Sequence, residues 1–150
     1  RRSSDLHFRR MRPAYVRYVG ENLNRPEFDR FYEMLLKSWD EQTCSPRFRE
    51  YYSDSLPSTG QCSITAVLAQ EIFGGEIIAA KVPGTPIIHS FNIIDGELVD
   101  FAISQFEREG VFPDLNDNFP KSREEILSDE EKQSRFLRLK SNFEAAVQEE

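Results

Sequence analysis

The chain has 150 residues, of which 39% are hydrophobic and 12% aromatic. This composition is typical of one folded domain with a sizeable core, and it excludes a disordered chain. The formal net charge of −7 disfavours a nucleic-acid partner, because such binders neutralise phosphates with clustered Lys and Arg. No apolar run reaches the roughly 18 residues that a membrane span needs, so we also expect no membrane partner.

The chain begins at Arg1 rather than Met, which suggests that an upstream region is missing, and its first residues lack the apolar stretch of a signal peptide. The spacing of its two cysteines, Cys44 and Cys62, and its two histidines matches neither a disulfide framework nor a zinc-ligand pattern. We therefore expect a cytoplasmic protein with reduced thiols and with no metal and no cofactor. A single disulfide between Cys44 and Cys62 stays open for an exported protein.

All 150 residues are predicted to form a single domain with four parts. The first part, 1–39, is predicted to be helical and to contain an amphipathic helix that Asn24 caps and Pro26 begins. Four large apolar residues recur in it at helical spacing: Phe28, Phe31, Leu35 and Trp39. The second part, 40–60, is predicted to be a long polar loop, and ordered loops of this length usually pack over a functional site.

The third part, 61–106, is predicted to be a helix followed by antiparallel strands. The helix is mostly apolar, runs from Cys62 to Phe73, and ends at Gly74-Gly75, since glycine tolerates the left-handed conformation at a helix C-terminus. The strands are predicted at 76–82, 87–94 and 97–103. An Asp95-Gly96 pair between two apolar runs is a strong signal for a hairpin with a two-residue turn.

The fourth part, 107–150, is predicted to be a polar loop followed by a short helix and a longer one. The sequence Ser128-Asp129-Glu130-Glu131 is typical of a helix N-terminus. The apolar stripe of the last helix is predicted to be Phe136, Leu139, Phe143 and Val147. The predicted fold class is therefore α+β, with a central Cys-bearing helix packed on a small antiparallel sheet and with N- and C-terminal helices.

The predicted hairpin places a histidine beside an aspartate. If Asp95-Gly96 is the turn, then Phe91 lies opposite Asp100, and His89 shares a face with Phe91 because side chains alternate along a strand. His89 and Asp100 are then diagonal neighbours, with roughly 7–8 Å between their backbones. An Asp in this position can select the imidazole tautomer and stabilise its charged form.

Cys62 is the candidate nucleophile that such a pair would serve. A thiol at a helix N-terminus has its pKa lowered by the free backbone N–H groups, and an adjacent imidazolium lowers it further. The same N–H groups would point at an oxyanion that forms on a substrate carbonyl, and Gly60 allows close approach of the substrate. The sequence thus predicts the catalytic set Cys62, His89 and Asp100, in the chain order of papain-like and transglutaminase-like cores.

Several segments around these residues resemble the YunG-like family of small bacterial proteins. They are Gly60-Gln61-Cys62-Ser63-Ile64-Thr65-Ala66, residues 70–77, His89-Ser90-Phe91-Asn92, Asp95-Gly96-Glu97-Leu98-Val99-Asp100 and Gln105-Phe106. The chain departs from the family pattern at Phe91, where Trp is expected, and at Phe101-Ala102, where Leu-Thr is expected. The resemblance implies the fold and the grouping of Cys62, His89 and Asp100, but it names no reaction.

Three further residues are weaker candidates for binding substrate or an oxyanion. The amide of Gln61 could donate to an oxyanion, although the helper Gln of papain-type enzymes lies several residues upstream of the Cys. Trp39 is interpreted as core or as a cleft wall. Asn92 is on the opposite strand face from His89, which favours a structural role.

Two functions stay open. The first is a cysteine-dependent hydrolase or acyltransferase, whether peptidase, amidase, deamidase or transglutaminase-like, that acts on an amide or thioester substrate in a cleft lined by residues 40–60 and by the turn Pro83–Pro86. The second is a catalytically inactive papain-like fold that serves as a binding or regulatory module. A Cys on an apolar helix, such as Cys62, is more often core than catalyst. Asp100 could equally accept backbone N–H groups at the end of its strand.

Overall fold

The computed structural model describes residues 15–18 and 25–150. The helices and strands are, in chain order, β1 (Val16–Tyr18), α1 (Pro26–Ser38), α2 (Cys62–Phe73), β2 (Glu76–Lys81), β3 (Ile88–Ile94), β4 (Glu97–Asp100), β5 (Phe119–Lys121), α3 (Arg123–Leu127) and α4 (Glu130–Gln148). Two 3₁₀ helices lie at Pro46–Tyr51 and Ile103–Phe106. The predicted α+β class is confirmed, since the helix that begins at Cys62 packs on an antiparallel sheet.

The sheet has five antiparallel strands in the order β1-β4-β3-β2-β5. The three predicted strands are the central ones, although the third ends at Asp100 and not at Ile103, where a 3₁₀ helix begins. The two three-residue edge strands were not predicted. Val16–Tyr18 form β1 inside the part that was predicted to be helical, and β5 lies in the predicted polar loop. Pro120 suits β5, because a proline at a sheet edge removes no ladder hydrogen bond from the interior.

The N-terminal prediction is otherwise confirmed only in part. The amphipathic helix is present as α1 and begins at Pro26. The predicted Asn24 cap and the rest of the predicted helical segment before it lie outside the described residues. Residues 40–60 were predicted to be a loop, but they contain the 3₁₀ helix Pro46–Tyr51.

Helix α2 has the predicted bounds and lies in the centre of the fold. Its residues Ile64 to Ala69 are all buried. A helix that is apolar over most of its circumference is covered on several sides, and α2 contacts both the sheet and α4. Cys62 is therefore held at the start of an element that cannot move independently of the core.

Each face of the sheet packs against a different part of the chain. Ile77, Ile94 and Val99 belong to the main core with α1, α2 and α4. Ile78 and Phe91 point to the other face, where Ile103, Phe106 and Leu115 cover them. His89 and Phe91 stack with their ring centroids 5.9 Å apart, as expected for neighbours two residues apart on one strand face.

The C-terminal helices begin at side-chain caps. The Asp129 carboxylate accepts hydrogen bonds from the backbone N–H groups of Glu131 and Lys132, which confirms the predicted start of α4. Three members of the predicted stripe are buried against the core: Phe136, Leu139 and Phe143. Val147 is 45% exposed, so the stripe is one residue shorter than predicted.

Two adjacent glycines after α2 offer a matched test of packing. Gly74 and Gly75 both have φ of +80°, but a Cβ on Gly75 would lie 2.1 Å from the carbonyl oxygen of Ile93, whereas one on Gly74 would meet nothing within 4 Å. We expect Gly75→Ala to lower the free energy of unfolding by about 1–3 kcal/mol more than Gly74→Ala, because only Gly75→Ala adds a backbone clash. Urea unfolding of the two variants measures the difference, and equal losses would contradict the packing of Gly75 against β3.

Candidate active site

The start of α2 is anchored to two neighbouring segments. Gly60 has φ of +67°, and a Cβ there would lie 2.7 Å from Cys44 Sγ and 2.9 Å from the Ser45 nitrogen, so only glycine fits this entry to the helix. The Gly60 N–H donates to Gln105 Oε1 at 3.2 Å. The hydroxyls of Ser58 and Ser104 lie 2.7 Å apart in the interior. These bonds fix the position of Cys62 relative to the turn that follows β4.

The hairpin has the predicted register. Ile94 pairs with Glu97 and Asn92 with Val99, so the turn is Asp95-Gly96. At the open end of this ladder, His89 Nε2 and Asp100 Oδ2 are 2.6 Å apart, and both side chains are fully buried. The predicted diagonal pair is therefore a direct hydrogen bond.

Asp100 has two hydrogen-bonded partners. Its Oδ1 accepts the backbone N–H of Ala102 at 3.0 Å, while Oδ2 meets His89. The strand-end role and the histidine-orienting role, which were alternatives at the level of sequence, are thus both present. Because the carboxylate occupies Nε2, the nitrogen left to face the cleft is Nδ1.

The His89 ring is held by aromatic neighbours as well as by Asp100. Phe91 stacks on it at an interplanar angle of 17°, and the Phe106 ring meets it edge-on with centroids 4.7 Å apart. These contacts leave the ring little rotational freedom. The orientation of Nδ1 is therefore built into the fold rather than chosen among rotamers.

Cys62 and His89 alter each other's ionisation. Burial opposes ionisation of the Cys62 thiol, but the charge of His89, a hydrogen bond from His89 and another from the Ser90 backbone N–H outweigh it and lower the pKa of Cys62 from 9.0 to about 7. Burial likewise opposes protonation of His89, but the negative charges of Asp100 and Cys62 raise its pKa from 6.5 to about 10. Between about pH 7 and pH 10 the pair is therefore a thiolate beside an imidazolium.

The second cysteine lacks this environment. Cys44 is fully buried, and desolvation is the main cause that raises the pKa of its thiol to about 11. Both cysteines are free thiols, but Cys44 is buried whereas Cys62 is partly exposed. Cys44 is therefore protonated and shielded at neutral pH, which makes it an internal reference for the reactivity of Cys62.

Gln105 belongs to the site, a role that the sequence analysis did not assign to it, although Gln105-Phe106 is one of the segments that resemble the family. Its Nε2 donates to the carbonyl oxygen of Ala102 at 3.1 Å and lies 3.5 Å from His89 Nδ1. A separation of 3.5 Å is too long for a strong hydrogen bond, so Gln105 lies beside Nδ1 without blocking it. It joins the entry to α2, the turn after β4 and the histidine in one network.

Gln61, proposed as a weak oxyanion donor, points away from the cleft. Its side chain is fully buried, and its Nε2 donates to the carbonyl oxygen of Asp40 at 3.2 Å. Its Oε1 has no hydrogen-bond partner among the described residues. The amide is thus committed to the segment after α1 and does not line the cleft.

Trp39 and Asn92 connect α2 to its neighbours. The indole Nε1–H of Trp39 donates to Thr65 Oγ1 at 2.9 Å, and the Asn92 amide donates to the carbonyl oxygen of Ala66 at 3.0 Å. Both side chains are buried and neither lines the cleft. Their positions match the structural interpretation of each residue.

Cys62 and the buried His89 belong to the lining of a cleft of about 100 Å³. As expected, the 40–60 segment supplies part of its wall, with Ser45, Arg47, Phe48 and Gly60. The prediction that the Pro83–Pro86 turn would line it was wrong, because the chain reaches the cleft only at the next residues, Ile87 and Ile88. Lys132 and Arg135 of α4 were not anticipated.

The cleft carries positive charge. Arg47, Lys132 and Arg135 line it, and no carboxylate does among the described residues. Arg135 is already engaged, at 2.6 Å from Glu131 and 3.0 Å from the Thr43 carbonyl oxygen. Arg47 and Lys132 are thus the cations of the rim most available to an anionic group.

Two further properties concern residues 15–18 and 25–150 alone. None of their helices combines the length and apolar character needed to cross a membrane. They contain no group of three or more His, Cys, Asp or Glu side chains placed to hold a metal ion.

Comparison with known proteins identifies the family. The profile of the YunG protein family matches residues 27–148. The chain belongs to this family. It is 34% identical over 106 residues to "Uncharacterized protein YunG" of Bacillus subtilis (strain 168), an alignment that covers 70% of this chain and 83% of the relative. No solved structure matches the chain significantly. The match includes the whole Cys62, His89 and Asp100 set, so the site lies inside the family domain.

The ionisation of Cys62 can be measured through its alkylation. We expect the rate of modification by iodoacetamide to rise with a midpoint of about pH 7, since the thiolate is the reactive form. In His89→Gln, which can still donate a hydrogen bond to Asp100, the midpoint should move to higher pH, because the charge of His89 is lost and the Ser90 backbone N–H alone opposes the effect of burial. Intact-mass spectrometry across a pH series, with Cys44→Ser as the background, measures both curves. Identical midpoints in the two proteins would contradict the thiolate–imidazolium pair.

Proposed function

We propose that the protein is a cysteine-dependent hydrolase or acyltransferase that acts on an amide or thioester substrate. The observation that carries the proposal is the connected set of Cys62, His89 and Asp100, in which Cys62 is a partly exposed residue and the pKa of its thiol is lowered to about 7. A lowered thiol pKa beside a fixed imidazolium is the arrangement that activates cysteine as a nucleophile. A relationship to papain-like and transglutaminase-like cores is part of this proposal.

The first half of the reaction transfers the acyl group to the enzyme. The Cys62 thiolate attacks the carbonyl carbon, so that an S–C bond forms and the carbonyl electrons move onto oxygen. His89 donates its Nδ1 proton to the leaving nitrogen or sulfur as the C–N or C–S bond breaks. The products are a thioester on Cys62, a free amine or thiol, and a neutral His89.

The second half releases the acyl group. Neutral His89 takes a proton from water, for hydrolysis, or from an amine, for transfer, and that oxygen or nitrogen attacks the thioester. Collapse of the adduct breaks the S–C bond and restores the thiolate and the imidazolium. Asp100 serves as a positioning residue, since it acts on the substrate only through His89.

Backbone N–H groups at the start of α2 are the proposed donors to the oxyanion. The first turn of a helix has N–H groups without intrahelical partners, and Cys62 is the first residue of α2. The Gln61 amide is not needed for this role, because it is bonded to the Asp40 carbonyl oxygen. The cationic rim at Arg47 and Lys132 favours the negative charge that develops in the same cleft.

The alternative, a binding module with an inert cysteine, predicts a different site. Such a protein would bury Cys62 among aromatic side chains and turn His89 away from it. The partial exposure of Cys62, its place in the lining of the cleft and its interaction with His89 favour the enzyme. A cytoplasmic location, where thiols stay reduced, fits this chemistry.

The proposal is tested with a panel of small thioester and activated amide substrates. We expect formation of an acyl-enzyme on Cys62, followed by turnover, with a kcat/KM profile that rises through about pH 7 and falls through about pH 10. The falling limb arises because His89 loses the proton that the leaving group needs. His89→Gln should lower kcat/KM by about 10²- to 10⁴-fold.

Two controls separate catalysis from simple thiol reactivity. Cys62→Ser should abolish acylation, whereas Cys44→Ser should retain it, because Cys44 is buried and protonated. An acyl group found on Cys44, or alkylation of Cys62 without turnover of any substrate in the panel, would overturn the proposed function.

A further inference from the structure

A second cavity, of about 340 Å³, adjoins the cleft. Five of its lining side chains are apolar or aromatic: Phe48, Tyr51, Leu56, Ile87 and Phe106. Its volume is within the range of about 300–1,000 Å³ that is usual for small-molecule sites, and such sites are lined mainly by apolar groups with a few polar ones. We name it the apolar pocket.

The apolar pocket and the catalytic cleft share a wall. Phe48, Ile87, Gln105 and Phe106 line both. Phe106 packs edge-on against His89, and Gln105 lies 3.5 Å from His89 Nδ1. A group in the pocket is therefore separated from the catalytic histidine by the thickness of these side chains.

The polar residues of the pocket do not select for charge. Arg108 and Glu109 carry opposite charges and are both exposed. The other two polar residues are uncharged: Gln105 belongs to the wall shared with the cleft, and Thr59 has its hydroxyl bonded to the Leu56 carbonyl oxygen at 2.8 Å. The pocket thus offers an occupant mainly apolar surface, and Tyr51, half exposed at 50%, would be covered further when it is filled.

From this continuity we propose that the apolar pocket binds an aromatic or branched aliphatic group that flanks the scissile bond of the substrate. This inference rests on the proposed function for the identity of the reactive thiol. When the carbonyl carbon of a substrate lies at Cys62 Sγ, the group next to that carbonyl extends along the shared wall and enters the apolar pocket. The substrate class is accordingly an amide or thioester with a bulky apolar neighbour to the reactive carbonyl.

The pocket is tested with alkylating reagents, so that the result does not require acyl turnover. N-methyl, N-isobutyl and N-benzyl chloroacetamide all react by the same step, in which the S–C bond forms at the CH₂ carbon and chloride leaves. For each compound the rate constant of reaction with Cys62 is divided by its rate constant with free cysteine. We expect this corrected rate constant to be at least about tenfold larger for the benzyl compound than for the methyl compound. The isobutyl compound should fall between them.

Two variants test whether the apolar pocket causes the preference for the benzyl compound. In Leu56→Asn and in Tyr51→Ser, the benzyl-to-methyl ratio of rate constants should fall several-fold towards the ratio for free cysteine. Leu137→Asn, at a position on α4 that is 58% exposed and outside the pocket, should keep the wild-type ratio. Because Tyr51 is half exposed, its substitution tests the pocket even if Leu56→Asn does not fold.

The outcomes separate the two proposals. A wild-type ratio equal to that of free cysteine, or a ratio unchanged in both pocket variants, would overturn the apolar pocket even if acyl substrates are turned over. Selectivity for the benzyl compound that both variants reduce would support the pocket, whether or not acyl turnover is found.

Discussion

The candidate site depends on a carboxylate and an imidazole, Asp100 and His89, which are both fully buried and 2.6 Å apart. Isolated charges are costly in a protein interior, so each of these groups is tolerable only beside the other. Asp100 is held by the Ala102 N–H and by its place at the end of β4, and it directs His89 Nδ1 towards the cleft. The charge on His89 then lowers the pKa of Cys62, which makes the thiol ionisable at neutral pH.

This chain of effects depends on register and on the docking of α2. A slip of one residue in the β3–β4 ladder would move His89 to the opposite face from its partner. Asn92 and Trp39 tie α2 to the sheet and to α1 through single buried hydrogen bonds, and Gly60 joins its start to Gln105. Trp39 and Asn92, which the sequence suggested as weak binding candidates, thus stabilise the position of α2 without lining the cleft. They keep the thiol within reach of a histidine that comes from a different element.

The features of the site that depend on short sequence patterns could be predicted from the sequence. The bounds of α2 follow from an apolar run that ends at two glycines, and the partnership of His89 and Asp100 follows from the Asp95-Gly96 turn and the alternation of strand side chains. The three-residue strands β1 and β5 could not be predicted, because so few residues show no periodicity and their pairing is long-range. Lys132 and Arg135 reach the cleft through tertiary packing, which leaves no pattern in the sequence around them.

Nitrogen NMR of the His89 ring measures most directly whether Asp100 and the Cys62 thiolate keep this histidine charged. The chain has two histidines, so the spectrum of His89→Gln identifies the His89 signals by their loss. At pH 8 we expect both ring nitrogens of His89 to carry protons, and we expect the ring to titrate at about 10. A ring that is neutral at pH 8 and titrates near its ordinary pKa of 6.5 would contradict this expectation.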